Sequence, residues 1–322
     1  MMHCNHTTMT EIAFGSTISP ENLPFYCSAP TRPYIICFTI NPVDQVPIWL
    51  ASIATWFSQY EIDLVYRHPC QILSVEFFQQ SLGTLLWNGT LPIFTPLKQY
   101  LVDHDIQFSF VECGFFPQTQ HVYFDRMGIN VESSLAQDDL RWLPENFTSI
   151  LQQTRERFFQ DVALDAEHQD YIFIPLQLSN DSNIQLHSRF GSGMQTFIDY
   201  IEACYPNDTL VFKKHPRDSA EYHITSNRSF WSTACSRALI KGAKKVHGIN
   251  STVLFEAELY GTETIIEGDC LLTRHANCKN ELLSAVILWQ FDLTQMNFSL
   301  DKIAQRSFLA LDKYLIKQQT AN

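Results

Sequence analysis

Short apolar runs alternate with longer helix-spaced stretches along this chain, and the alternation restarts after a polar interval in the middle. Tyr34–Ile40 has the pattern of a buried strand, ended by Asn41 and Pro42. Val46–Gln59 predicts a helix, Ile62–Val65 a second strand, and Ile72–Leu86 a further helix-like stretch. Ile93–Asp103 reads as a helix after Pro92, and Phe108–Val111 as a strand that stops at Glu112, Cys113 and Gly114. Residues 148–168 are polar and helical in character, with Arg155, Glu156, Arg157, Asp161, Asp165 and Glu167. Strands are then predicted at Tyr171–Pro175, Thr209–Lys213, Lys245–Ile249 and Glu263–Glu267. Helices are predicted at Gly193–Tyr205, Trp231–Ala243 and Val253–Tyr260. Leu300–Lys317 closes the chain as an amphipathic helix, with Ile303, Phe308, Leu309, Leu311, Leu315 and Ile316 on its apolar side. Residues 1–30, punctuated by Gly, Ser, Pro and Thr, read as irregular.

Alternating buried strands and helices give a parallel sheet with helices on its faces. Two such halves predict an α/β chain of two Rossmann-like domains facing a cleft. Residues 1–150 form the first, 151–168 a linker, and 169–322 the second. Ligands of open α/β sheets bind beyond the carboxyl ends of the strands, so the residues just after each strand are the ones to inspect.

Composition narrows the function. The 322 residues are 45% hydrophobic and 17% charged, enough apolar material for a sizeable core. The longest apolar candidates, Ile35–Ile40 and Val46–Phe57, are too short and interrupted to span a membrane. The first residues lack a basic segment followed by an apolar core, so no secretory signal is expected and the location reads as cytoplasmic. A net charge of -12 argues against nucleic acid as the main partner and against docking on anionic lipid through a polybasic patch. The nine cysteines are scattered with no Cys-x-x-Cys pair, the pattern of reduced buried thiols rather than zinc or disulfide frameworks.

Four polar clusters follow predicted strands. Lys213, Lys214, His215, Pro216 and Arg217 follow Thr209–Phe212; such a cluster can clamp a phosphate, and the imidazole can give it a proton. Taken alone, a solvated basic turn is the simpler explanation, because basic turns are common. His247, Gly248, Ile249, Asn250, Ser251 and Thr252 lead into a helix, with Ser251 or Thr252 as N-cap. A helix start of this kind can hold an anion, although an ordinary cap needs no ligand. Glu256, one turn further on, could reach a ribose hydroxyl or simply face solvent. Gln177, Leu178, Ser179, Asn180, Asp181 and Ser182 offer a carboxylate among short polar side chains: a nucleophile, or an ordinary turn. Glu112 with Cys113 and Gly114 offers a second carboxylate in the first half, or an exposed turn.

The clusters resemble the motifs of a known family. The run Ile174–Ile184, followed by His187, Ser188, Arg189 and Phe190, resembles the core motif of bacterial capsule polysaccharide synthesis proteins, the retaining β-Kdo glycosyltransferases. Lys214, His215, Pro216 and Arg217 resemble their His-Pro motif. Ile249–Val253 with Phe255, Glu256, Ala257, Tyr260 and Gly261 resembles their Asn-Ser-Thr segment. Trp87, Asn88 and Gly89, then Val111–Phe115, then Asp125–Asn130, resemble segments of the family's first half. The match runs over roughly residues 85–270. It departs where Cys113 replaces an acidic residue and where Phe116 and Pro117 stand in place of an arginine.

The resemblance implies a GT-B fold, CMP-Kdo as donor, and a glycan or glycolipid as acceptor. Carried over, His215 would contact the CMP phosphate with Lys213 or Lys214 nearby. Asn250, Ser251 and Thr252 would hold the same phosphate, and Glu256 the ribose. Asp181 would attack or stabilise the anomeric carbon, with Gln177 and Ser182 supporting it, and Glu112 would act as acid/base. No metal or other cofactor is implied, since cations and a helix N-terminus neutralise the leaving phosphate. Asp103 and Asp105 offer an Asp-x-Asp pair, but after a helix rather than a strand. The resemblance leaves room for peripheral contact with a membrane or with capsule-assembly proteins. Two other readings stand beside it: an inverting CMP-sialic acid transferase with Glu112 as base, and a non-catalytic capsule-assembly or glycan-binding protein.

Overall fold

The computed structural model describes residues 30–41, 46–71, 73–164, 170–191, 193–295 and 299–315. The readings made for residues 1–29, for 165–168 of the linker and for Ile316 and Lys317 lie outside them. The fold is α/β, with a mixed six-stranded sheet of order β11-β5-β4-β3-β1-β2 and a parallel five-stranded sheet, and the chain divides into two compact units. Both units are Rossmann-like, as the alternation of strands and helices predicted.

In the first unit four strands run parallel in the order β2-β1-β3-β4. They are β1 (Tyr34–Phe38), β2 (Asp63–Arg67), β3 (Thr84–Trp87) and β4 (Phe108–Cys113). The interior strand β1 is buried at every position, as its unbroken apolar run requires, whereas edge strand β2 is half-buried. Strand β3 corrects the helix-like reading of Ile72–Leu86. Among the described residues the only helix there is Val75–Gln79, capped by the Ser74 hydroxyl, and Gly83 at φ 139° then turns the chain into the sheet. Four apolar-rich residues carry too little periodicity to separate a strand from a helix. Their pairing with β1 and β4 decides it.

The second sheet has five parallel strands in the order β10-β9-β6-β7-β8. Its members follow β5 (His121–Asp125), a strand absent from the sequence reading. They are β6 (Tyr171–Pro175), β7 (Thr209–Lys213), β8 (Ser229–Trp231), β9 (Ala243–Gly248) and β10 (Glu263–Ile266). Ile172 and Ile174 of β6 and Leu210 and Phe212 of β7 pack on Phe197, Ile198 and Ile201 of the helix Met194–Cys204. Each of these side chains is essentially fully buried, a gain of roughly 1.5–3 kcal/mol apiece before entropy is counted. The helix expected over Trp231–Ala243 is shorter, Ser236–Gly242, because Trp231 belongs to β8 and Ala243 to β9. Later, β11 (Phe291–Asp292) pairs antiparallel with the start of β5.

The unit boundaries differ from the linear division into 1–150 and 169–322. The first unit comprises the described residues up to Glu112, Phe124–Arg126 and those from Leu293 onward; the second comprises Cys113–Tyr123 and Met127–Asp292. The long terminal helix is also corrected: it ends at Arg306. Beyond it the backbone N–H of Phe308 donates to the Ser109 hydroxyl (2.7 Å), and that of Ala310 to the Leu82 carbonyl (2.7 Å). Arg126 Nε donates to the Ser307 carbonyl (3.0 Å). A Cβ on Gly83 would stand 2.9 Å from Leu309 Cδ2, so only glycine admits this tail.

Candidate functional site

In the second sheet the chain leaves β6 toward β7 and β8 on one side and returns to β9 and β10 on the other. The switch point lies between β6 and β9, where such a sheet opens a crevice at its carboxyl edge. Three of the four predicted clusters follow β6, β7 and β9, which are neighbours.

Gln177, just after β6, is buried and pairs reciprocally with Asn250, just after β9. Gln177 Nε2 donates to Asn250 Oδ1 (3.0 Å), and the Asn250 backbone N–H donates to Gln177 Oε1 (3.2 Å). Asn250 Nδ2 donates in turn to the carbonyls of Asn183 (2.9 Å) and Asp269 (3.4 Å). Asp181 is the N-cap of the helix Ser182–His187: its Oδ1 accepts from the Asn183 backbone N–H (2.9 Å) and from Asn183 Nδ2 (3.1 Å). Among the described residues no hydrogen bond reaches Asp181 Oδ2. Asn183 Oδ1 accepts from Asn130 Nδ2 (3.0 Å), which locks the cap from outside. Ser182 is buried as the first residue of this helix.

The basic cluster after β7 divides. The Lys214 ammonium donates to the Ala220 carbonyl and lies 5.8 Å from the centre of the Tyr222 ring, so it closes its own loop. Lys213 is half-buried, and no hydrogen bond or ion pair engages its ammonium among the described residues. His215 Nδ1 accepts from the Arg217 backbone N–H (3.2 Å), which leaves Nε2 as the protonated, donating nitrogen. Burial, and secondarily the Arg217 charge, push the His215 pKa down, while Asp181 and Asp218 pull it up. The imidazole and the Asp181 carboxylate therefore share one electrostatic neighbourhood.

Ser251 caps the helix Thr252–Tyr260, its hydroxyl accepting from the Val253 N–H (3.2 Å), and Gly261 ends that helix at φ 102°. Glu256 on this helix is half-buried. Burial raises its pKa to about 7, against a smaller opposing pull from Arg237, so the carboxyl both donates and accepts near neutrality.

Next to Asn250 in the chain, His247 joins a cluster that no local pattern signals. His247 is buried; its Nδ1 meets the Tyr205 hydroxyl (2.9 Å) and its Nε2 meets Glu267 Oε1 (3.0 Å). Glu267 also accepts from the Tyr200 hydroxyl (2.8 Å) and from Arg189 Nη2 (2.8 Å). Burial alone would raise the Glu267 pKa, but Tyr200, His247 and Arg189 outweigh it and hold the carboxyl below its ordinary value. The pinned segment continues into Gly268, whose N–H donates to the Ile249 carbonyl (2.9 Å). A Cβ on Gly268 would stand 2.9 Å from Asn250 Nδ2. The cluster thus sets the floor under Asn250. Its residues are 42 and 20 positions from His247 in the chain, so no local spacing signals it.

Glu112 lies in the first unit, apart from these segments in the division of the chain. Its carboxylate accepts from Asn88 Nδ2 (2.9 Å). Asp103 and His104 are committed to the end of their helix, through Gln99 (2.7 Å) and the Tyr100 carbonyl (2.9 Å). Among the described residues no group of three or more His, Cys, Asp or Glu could hold a metal ion, and no helix is long and apolar enough to cross a membrane.

Residues 146–272 match the family model of capsule polysaccharide biosynthesis proteins. They contain every second-unit residue of the network above except Asn130. The matched stretch is less than half of the chain. Protein FixF of Sinorhizobium fredii (strain NBRC 101917 / NGR234) is 28% identical over 236 residues, 65% of this chain and 54% of the relative. The chain thus spans about half the length of that curated relative. Two solved structures of Thermosulfurimonas dismutans KpsC share the fold. The β-Kdo 2,7 transferase superimposes with a TM-score of 0.58 at 16% identity, over 88% of this chain and 99% of that one. The β-Kdo 2,4 transferase does so with a TM-score of 0.58 at 12% identity, over 85% and 97%. The match to the family model ends just beyond Asp269, whose carbonyl accepts from Asn250.

Proposed function

We propose that the chain is a glycosyltransferase of surface polysaccharide synthesis that moves Kdo from CMP-Kdo to a glycan or glycolipid acceptor with retention. The observation that carries this reading is the hydrogen-bonded unit of Gln177, Asn250, Asn183 and Asp181 at the β6/β9 switch point, with His215 in electrostatic reach of Asp181. The KpsC structures, described as β-Kdo transferases, support the choice of sugar.

In this reading Lys213 and His215 take the phosphate of CMP, joined by the start of the helix Thr252–Tyr260 with Asn250, Ser251 and Thr252. Lys214 shapes the loop that presents them. Glu256 binds the ribose, for which a carboxyl near neutrality serves as donor and acceptor alike. Asp181 has one oxygen held by two donors and the other available. That oxygen attacks the anomeric carbon as the bond to the CMP phosphate breaks, and His215 Nε2–H donates to the departing phosphate. The acceptor hydroxyl then displaces Asp181 and loses its proton to Glu112. Two inversions give net retention.

Incubation with CMP-Kdo and candidate acceptors, read by CMP release and product NMR, tests the scheme. Asp181→Asn is expected to abolish transfer while CMP still binds. Unchanged turnover in that variant removes Asp181 from the chemistry. Preference for CMP-sialic acid with Asp181 dispensable replaces the donor and the mechanism together.

A further inference from the structure

The carboxyl edge of the first sheet holds a group of side chains that the donor chemistry leaves unused. In the order β2-β1-β3-β4 the chain leaves β1 in opposite directions, so this sheet too has a switch point, between β1 and β3. Tryptophans flank it. Trp87 is the last residue of β3, and Trp49 is the second residue of Ile48–Ser58, the helix that follows β1. Both are half-buried. Their rings stack with centroids 6.0 Å apart and planes 29° from parallel.

Asn88 follows Trp87 in the left-handed conformation (φ 62°), which turns the chain sharply at the strand's end. Its Oδ1 accepts from the Thr90 backbone N–H (3.2 Å) and hydroxyl (2.7 Å), and its Nδ2 donates to Glu112 (2.9 Å) on neighbouring β4. A stacked indole pair therefore adjoins a carboxylate and an amide whose geometry is already set.

A pyranose ring has the complementary chemistry. Its faces are lined by C–H groups that pack on aromatic carbon, and its rim carries hydroxyls that need fixed polar partners. Here two half-buried indoles stack at a switch point beside a carboxylate that an amide already orients. We propose that Trp49 and Trp87 form the floor on which a pyranose of the acceptor glycan lies, with Asn88 and Glu112 meeting its hydroxyl rim. The inference rests on the transferase reading and assigns the acceptor's chemical class to these four residues.

The test is saturation-transfer-difference NMR on the full chain with methyl pyranosides of galactose, glucose, N-acetylglucosamine and Kdo. At least one is expected to receive saturation, strongest at the C–H protons of one ring face. Trp49→Ala, on the helix surface rather than in the sheet, is expected to cut that signal at least fivefold, and Trp49→Phe to retain most of it. CMP affinity, measured by calorimetry on the same samples, is expected to stay within about twofold in both. Absence of saturation for all four sugars overturns the proposal, as does a signal that persists in Trp49→Ala. A chain that binds a pyranoside through Trp49 but not CMP loses its donor assignment and keeps the platform.

Discussion

Removing the Gln177 carboxamide tests the donor site at its centre. In Gln177→Leu, two buried groups of Asn250 lose their partner: the backbone N–H that donates to Gln177 Oε1 and the Oδ1 that accepts from Nε2. Leucine nearly matches the volume, so little cavity forms and the loss is polar. Each orphaned buried group costs about 1–3 kcal/mol, so about 3 kcal/mol is expected in total. For a unit of this size that corresponds to a fall in Tm of roughly 6–12 °C. Asn250 also loses the contact that orients it. Its Nδ2 bonds to Asn183 and Asp269 remain, but they alone then hold the carboxamide. CMP affinity is expected to fall about 10- to 100-fold, which is about 1.4–2.8 kcal/mol. Differential scanning calorimetry and titration calorimetry on the same preparation read both numbers. Gln177→Glu retains an acceptor for the Asn250 N–H and is expected to fall between the two. A Gln177→Leu protein that melts within a degree of wild type and binds CMP equally well refutes the reasoning.

Gly268→Ala places a methyl 2.9 Å from Asn250 Nδ2 and is expected to weaken CMP binding about tenfold at a stability cost of about 1–3 kcal/mol, read by the same two methods. Glu256, with its pKa raised to about 7, binds its proton more tightly folded than unfolded. Wild-type stability is therefore penalised as pH rises from about 4.5 through 7. Glu256→Gln is expected to melt a few degrees higher at pH 8 and unchanged at pH 5, and identical profiles would remove the buried carboxyl from the account. His215 is held mostly neutral at pH 7, so an arriving phosphate is expected to draw a proton onto it. Titrations of CMP in buffers of different ionisation enthalpy should show proton uptake that is greater in wild type than in His215→Gln.

The candidate site was more legible than its support. Asp181, His215 and Asn250 could be singled out because each stands just after a strand whose apolar run is plain in the sequence. The sheet order then makes those strands neighbours. The pairings of Asn130 with Asn183 and of Glu267 with His247 carry no such mark, because the partners are distant in the chain and no periodicity links them. Lys214 had the same sequence credentials as Lys213, yet its ammonium closes a loop with Ala220 and Tyr222, a contact that depends on how that loop folds back.

The sequence by itself determined the α/β class, the second-sheet strands β6, β7 and β9, the helix capped at Ser251 and the polar loops that follow those strands. Each depends on local pattern: apolar runs, caps and the residues that interrupt them. Only tertiary structure decided that Thr84–Trp87 and Ser229–Trp231 are strands, since pieces of three or four residues become strands by pairing rather than by propensity. It alone returned the residues after Asp292 to the first unit, where the Phe308 N–H meets the Ser109 hydroxyl and the Ala310 N–H the Leu82 carbonyl, pairings that no local pattern marks. It also brought Trp49 against Trp87 and Gln177 against Asn250, 73 residues apart, because contact across a sheet depends on strand order, which local pattern does not encode.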